Sequence, residues 1–289
     1  IRSLKESLIA NKISKIYGIF NGTSNYILSS MDHKNKNFDA VLSDAKALGY
    51  AEANPAADLN GNDVSSKLKI LTSLCFNSFL NDKIYVEGIR DIDKVDIINA
   101  NNLGYKIKLI GFAELLKGKI YQRVHPTFIR KNSYIASING VLNAVIVDGK
   151  PVGQSIIQGE GAGPAATTSA LVSDISSILR GNVKFPFSLS SKERKTLKFG
   201  TIDNRFFSAY LRFEVLDKPG VLSNITNIFS KNKVSIKRLI QNPDKNKKTS
   251  SIIIITHDAK NISLNKILKE VSKKNYINKK PKLIRIDEN

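Results

Sequence analysis

Residues 207–289 switch between two hydrophobic periods in an order that few folds accommodate. Tyr210-Leu211-Arg212-Phe213-Glu214-Val215 has the two-residue period of a half-buried strand. Asp217-Lys218-Pro219-Gly220 reads as a turn, and Val221 to Lys231 then spaces Val221, Leu222, Ile225, Ile228 and Phe229 as on a helix. A strand follows over Val234 to Gln241, a polar loop over Asn242 to Thr249, and a β-branched strand over Ser251 to Thr256. Ser263 is placed to cap a second helix reaching about Lys274, with Leu264, Ile267, Leu268 and Val271 on one face. Lys282 to Ile286 closes the unit as a strand. The order is βαββαβ, the ferredoxin-like split arrangement, so this part of the chain is α+β.

The chain has 289 residues, 42% of them apolar, which is material for two cores. The expected division is a first domain over 1–191, a charged, irregular linker over 192–206, and the split unit over 207–289. One Cys and no Trp exclude a disulfide framework and a thiolate-rich zinc site. Cys75 reads as a core residue, and His33, His125 and His257 are scattered without ligand partners, so no metal is expected. The net charge of +20 invites a nucleic-acid reading. Its densest runs, Lys245-Asn246-Lys247-Lys248 and Lys273-Lys274 with Lys279-Lys280, have no interleaved aromatics, and the excess is spread along the chain. Neither nucleic acid nor membrane is an expected partner, since no stretch approaches the ~18 apolar residues of a span. Ile1-Arg2-Ser3-Leu4-Lys5 lacks the apolar core of a secretory leader, so a cytoplasmic location is expected.

The first domain is less regular. Lys15 to Phe20 reads as a strand leading into Asn21-Gly22-Thr23 and a helix through Met31. Phe38 to Leu48 is helical and stops at Gly49, a C-terminal glycine cap. Helices follow over Asp63 to Phe76 and Asp93 to Leu103. Lys106 to Leu115 and Lys119 to Val124 flank the turn Leu116-Lys117-Gly118, and Val141 to Val147 and Val152 to Gln158 flank Asp148-Gly149, two hairpin signals. Ala165 to Leu179 is a helix of small residues behind Gly163.

Chemistry concentrates between Ala45 and Lys67. Glu52, Asp58 and Asp63 sit in or beside a loop that Pro55 and Gly61 force to turn, and Lys67 follows Asp63 by four residues. On a helix that spacing puts carboxylate and ammonium on one face, whether as an ordinary salt bridge or as a site. As a site, Glu52 and Asp63 would hold a cationic amino group while Lys67 gives a proton to an oxygen. Gly159-Glu160-Gly161-Ala162-Gly163, between a strand and a helix N-terminus, is either a structural turn or a close approach to a cofactor.

The segment Ala45 to Lys67, with Gly49, Asn54-Pro55, Asp58, Gly61 and Asp63, resembles the signature of homoserine dehydrogenase. Tyr17 to Leu28, Arg123-Val124-His125-Pro126-Thr127, Ile138 to Ala144 and the Gly159–Gly163 turn resemble further segments of that family, covering essentially the first 185 residues. The resemblance implies a substrate-binding and dimerisation domain with a mixed sheet and helices. It implies NAD- or NADP-dependent interconversion of L-aspartate 4-semialdehyde and L-homoserine by a homodimer or homotetramer. Glu52 and Asp63 match its homoserine-binding acids, Asp58 lies beside the substrate, Lys67 matches the proton donor, and Gly49, Gly161 and Gly163 lie by the nicotinamide cofactor. Glu52, Asp58, Asp63 and Lys67 standing together argue against a catalytically idle relic that only senses amino acids.

No G-x-G-x-x-G strand–turn–helix appears, although the family begins with such a dinucleotide-binding domain. The chain is therefore expected to be a truncated member, without turnover when alone. Leu216 to Leu222 in its βαββαβ frame resembles the ACT domain, which implies regulation by an amino acid, here L-threonine. Asp217 and Gly220 are the candidate contacts, with Asn224 and Gln241 as weaker ones.

Overall fold

A computed structural model describes residues 1–80, 84–182, 185–244 and 248–287, so three residues of the basic run 245–248 lie outside the described residues. The elements in the first part are α1 (Arg2–Lys5), β1 (Lys12–Ile19), α2 (Gly22–Lys34), α3 (Phe38–Ala47), α4 (Ala56–Leu59), α5 (Asn62–Phe76), β2 (Tyr85–Val86), α6 (Lys94–Asn102), β3 (Tyr105–Leu116), β4 (Lys119–Arg130), β5 (Leu142–Lys150), β6 (Gly153–Glu160), α7 (Pro164–Leu179) and β7 (Lys198–Phe199). The second part holds β8 (Phe206–Leu216), α8 (Val221–Lys231), β9 (Ile236–Asp244), β10 (Thr249–Thr256), β11 (Ala259–Lys260), α9 (Asn261–Val271) and β12 (Lys282–Asp287). Two compact units result: 1–126 with 131–200, and 127–130 with 201–289. The change at 200/201 falls inside the segment 192–206. Its first residues are held to unit 1, where Arg194 donates to Ser73 Oγ and the Ser78 carbonyl and Lys195 N–H donates to Asn77.

In unit 1 the strand order is β6-β5-β1-β3-β4, with antiparallel pairing of β1 to both β3 and β5 and of β5 to β6. β2 and β7 run parallel to β4, which makes the sheet mixed. Helices α2 and α5 cover one face: Ile16, Leu28, Met31, Val64 and Leu68 are buried. The helix contact requires glycine at Gly111, where a Cβ would come within 2.8 Å of the Phe20 ring and 3.1 Å of Val64, whereas a Cβ on Gly18 would meet the Ala144 carbonyl of β5.

Two readings are corrected here. Asp148 and Gly149 do not turn; they pair with Gln154 and Gly153 inside β5–β6, and the chain reverses at Pro151-Val152. Proline has no N–H to give to the ladder, so the reversal falls there, while Gly149 is tolerated in the strand. In unit 2, Ser263 does not cap α9. The helix begins at Asn261 directly from the short strand β11, and Asn261, fully buried, accepts from Arg285 Nε at 2.9 Å.

Unit 2 has the strand order β12-β8-β10-β9, all antiparallel, which is the ferredoxin-like order, with Thr127–Ile129 adding a parallel edge to β12. α8 buries Val221, Ile225, Ile228 and Phe229 at positions i, i+4, i+7 and i+8, and Phe229 meets Phe213 edge-on at 6.3 Å. α9 buries Leu264, Ile267 and Val271 in the same way.

The core of unit 1 includes buried charged residues, among them a lysine. Lys108 on β3 is 2% exposed. Burial pushes its ammonium down to about 7, with Lys106 adding to the effect and Asp32 opposing it. Between that value and the ordinary 10.5 the unfolded chain holds a proton that the folded chain has released. Raising the pH through this window therefore stabilises the fold. Relative to Lys108→Met, the native protein should gain about 2 kcal/mol between pH 7 and 9. Urea unfolding at the two pH values checks this, and a constant difference would count against it.

Candidate functional site

The site grows from the junction of β1 and α2. Asn21 caps α2, its Oδ1 accepting the Ser24 N–H at 2.7 Å. That bond fixes the amide, so Nδ2 is aimed the other way, where it donates to Asp58 Oδ1 at 2.7 Å and Asp63 Oδ2 at 2.9 Å. Asp58 lies on the single turn α4 that follows Pro55, and Ser24 Oγ donates to its carbonyl at 2.9 Å, tying α4 to α2. Gly61 adopts φ +81° ahead of α5, which leaves Asp63 in the first turn, where the helix N-terminus favours a carboxylate.

One turn further on, Lys67 Nζ donates to Asp63 Oδ2 at 2.7 Å and to the Phe20 carbonyl at 3.0 Å. One carboxylate oxygen thus accepts from an amide and an ammonium together. The Asp63 and Lys67 side chains are 29% and 47% exposed, within reach of a solute. An exposed i,i+4 pair contributes only a few tenths of a kcal/mol. Its consequence is orientation: the ammonium is held at the mouth of an acidic cluster.

The structure brings Asp58, Asp63 and Lys67 together. Glu52 stands exposed on the loop after α3, outside the hydrogen bonds that join them. Gly49 sits just beyond α3 at φ +74°, with Gly49 N–H to Lys46 and Tyr50 N–H to Ala45 completing a Schellman end. Thr23 Oγ1 donates to the Tyr50 carbonyl at 2.6 Å and fastens that loop to α2. Asn21 and Thr23 are the residues that sequence reasoning did not assign to the site. The available signal was an Asn before Gly at the end of a strand, which is a helix cap, but the cap's second contacts come from residues 37 and 42 positions away.

The glycines of the β6–α7 turn differ in their reasons. Gly163 takes φ +101° at the start of α7 with open space where a Cβ would stand, as does Gly49 at φ +74°. Of the two, Gly163 stands at a helix start, where free N–H groups suit the phosphate of a dinucleotide. Gly161 is glycine for an internal reason, because a Cβ would lie 1.9 Å from Asn143 Nδ2. Among the described residues no group of three His, Cys, Asp or Glu could hold a metal, and no helix is long and apolar enough to cross a membrane. Cys75 is half-buried with its thiol pushed up to about 12 by desolvation, so it is no nucleophile.

In unit 2 a cleft of about 390 Å³ is lined by Asp217, Gly220, Val221 and Gln241, at the turn from β8 to α8. Gly220 caps α8 at φ +85° and its α-carbon faces open space. Asn224 is not in this cleft; it lines a separate groove with Lys231 and Lys274.

Two carboxylates beside an oriented ammonium have the charges that suit a polar, amine-bearing small molecule. The model of the family described as homoserine dehydrogenase matches residues 1–176, and that of the ACT domain matches residues 209–274. A homoserine dehydrogenase of Neisseria gonorrhoeae is 40% identical over 266 residues, 89% of this chain and 61% of the relative. The crystal structure of a homoserine dehydrogenase from Thiobacillus denitrificans superposes with a TM-score of 0.90 at 35% identity, covering 99% of this chain and 67% of that one. A hyperthermophilic archaeal homoserine dehydrogenase mutant, solved in complex with NADPH, superposes at 0.52 with 26% identity over 62% of this chain and 51% of that one. This chain belongs to the homoserine dehydrogenase family and carries an ACT domain at its C-terminal side. It spans about three fifths of the Neisseria relative's length.

Proposed function

We propose that this protein acts as a homoserine dehydrogenase, interconverting L-aspartate 4-semialdehyde and L-homoserine with NAD or NADP in the cytoplasm, as a homodimer or homotetramer. The observation that carries the reading is Asp63 Oδ2, shared by Lys67 Nζ at 2.7 Å and Asn21 Nδ2 at 2.9 Å beside Asp58. Glu52 and Asp63 hold the substrate's ammonium, and Asp58 lies beside it. The Asn21 amide donates to both Asp58 and Asp63 and so holds the two carboxylates side by side. A nicotinamide dinucleotide, when bound, supplies the hydride for the aldehyde carbon. Lys67 Nζ donates a proton to the oxygen that becomes the homoserine hydroxyl, and in the reverse direction takes it back. Asp63 keeps that ammonium aimed between turnovers. Gly49, Gly161 and Gly163 form the backbone on the cofactor side.

The domain division proposed is 1–191, a linker over 192–206, and 207–289. In the last of these, L-threonine is the proposed effector, its carboxylate at the start of α8 beside Gly220 and its polar groups on Asp217 and Gln241. Asn224, which lines the separate groove, is left out of this contact set. Calorimetric titration of the 289-residue chain tests both parts. L-homoserine is expected to bind at millimolar concentration or below, and Asp63→Asn should weaken it at least tenfold, because one partner of a charged pair is lost. L-threonine is expected to bind separately and to lose affinity in Gln241→Ala. No heat with homoserine would overturn the substrate, and no heat with threonine the effector.

A further inference from the structure

We propose that Lys108 is a positioning residue for the substrate site, fastening the helix capped by Asn21 to the segment 138–143, which leads into β5. The proposal rests on the substrate reading above. Lys108 Nζ donates to Asn25 Oδ1 at 3.0 Å, to Asn139 Oδ1 at 3.1 Å and to the Ile138 carbonyl. Oxygens of two segments far apart in sequence thus converge on this one nitrogen. Asn25 in turn donates to the Ile138 and Leu142 carbonyls at 3.2 and 3.0 Å.

Both ends of this cluster lead to the site. Asn25 lies one helical turn beyond Asn21, on the same face of α2. The neighbouring Gly22 touches the same segment, where a Cβ would stand 2.7 Å from the Val141 carbonyl. Further along, Asn143 in β5 lies so close to Gly161, in the turn before α7, that a Cβ there would stand 1.9 Å from its Nδ2. This segment therefore sets the distance between the substrate acids and that glycine turn, and Lys108 sets the segment.

A buried ammonium is a costly way to gain stability, since an apolar side chain of similar length would fill the space without desolvating a charge. What an ammonium adds is a fixed point that several oxygens must face at once. The other charged groups nearby are Lys106 and Asp32, which pair with each other at 3.2 Å.

The test compares Lys108→Met with Leu109→Ala, a neighbouring core truncation on β3. Leu109 is 3% exposed and makes none of these hydrogen bonds. In the 289-residue chain, K108M should weaken L-homoserine at least tenfold by calorimetry and move the side-chain amide resonances of Asn21. L109A should lower the unfolding temperature yet leave affinity within twofold and the Asn21 amide in place. Equal affinity in K108M and the native chain, or equal weakening in both variants, would overturn the proposal. Should K108M fail to fold, Asn139→Ala removes one oxygen and is expected to weaken binding a few-fold; unchanged binding would overturn it too. If the native chain binds no homoserine, the substrate reading falls while the Asn21 amide still decides the role of Lys108. A shift in K108M beyond that in L109A supports it, and no shift overturns it.

Discussion

Lys67→Met is expected to lower kcat by about a thousandfold while KM for the aldehyde changes only a few-fold. Methionine keeps the length and apolar stem of lysine and removes the proton and the charge. The fold should tolerate it, because the lost contacts are an exposed i,i+4 pair and one carbonyl bond. Binding should survive because the acids proposed to hold the substrate ammonium are unchanged. What is lost is the group that neutralises the developing alkoxide, an interaction made mainly in the transition state. The measurement is the initial rate of NAD(P)H oxidation, with a dinucleotide-binding domain joined ahead of this chain, together with circular dichroism of the variant. A kcat within tenfold of the native value would remove Lys67 from its role and leave Asp58 or Asp63 to be tested as proton donors.

Gly88→Ala should damage the same site without touching any of its side chains. Gly88 follows β2 and passes so close to the end of α4 that a Cβ would stand 2.2 Å from the Leu59 carbonyl and 2.6 Å from Asn60 Cα. These are backbone atoms, so no rotamer change relieves the clash. The segment cannot simply back away either, because Glu87 N–H donates to Val124 and Ile89 N–H to Leu59, each at 2.8 Å. Relief must come from α4, which carries Asp58 one residue before Leu59. Overpacking of this kind costs about 1–3 kcal/mol. A displacement of ~1 Å in a group that holds a substrate can cost a hundredfold in rate. Thermal unfolding and homoserine calorimetry are therefore both expected to move, with affinity down at least tenfold. A variant with native unfolding temperature and native affinity would show that the approach of Gly88 to α4 sets nothing in the site.

Much of this protein could be read along the chain because the determinants are local. Val221–Lys231 is a helix in sequence and in structure, as its apolar spacing requires. Asp63 and Lys67 meet because four residues make one helical turn, and Gly49 ends α3 because only its backbone takes φ +74° freely. The misplaced reversal near Asp148-Gly149 and the misplaced cap at Ser263 show the limit of such reading. In both, a local preference lost to a partner elsewhere: the β6 strand in one case and buried Arg285 in the other.

The sequence by itself determined the βαββαβ order of the second unit, the helix that carries Asp63 and Lys67, and the residue types of the acidic loop. Only the tertiary structure decided that Asn21 joins Asp58 to Asp63, that Glu52 stands apart from them, that Gly161 is glycine because of Asn143, and that Lys108 is buried among three oxygens. The physical reason is the range of the forces involved. Periodicity and capping act within a turn or two of helix. A hydrogen bond between residues tens of positions apart exists only after the sheet has closed and the helices have settled on it.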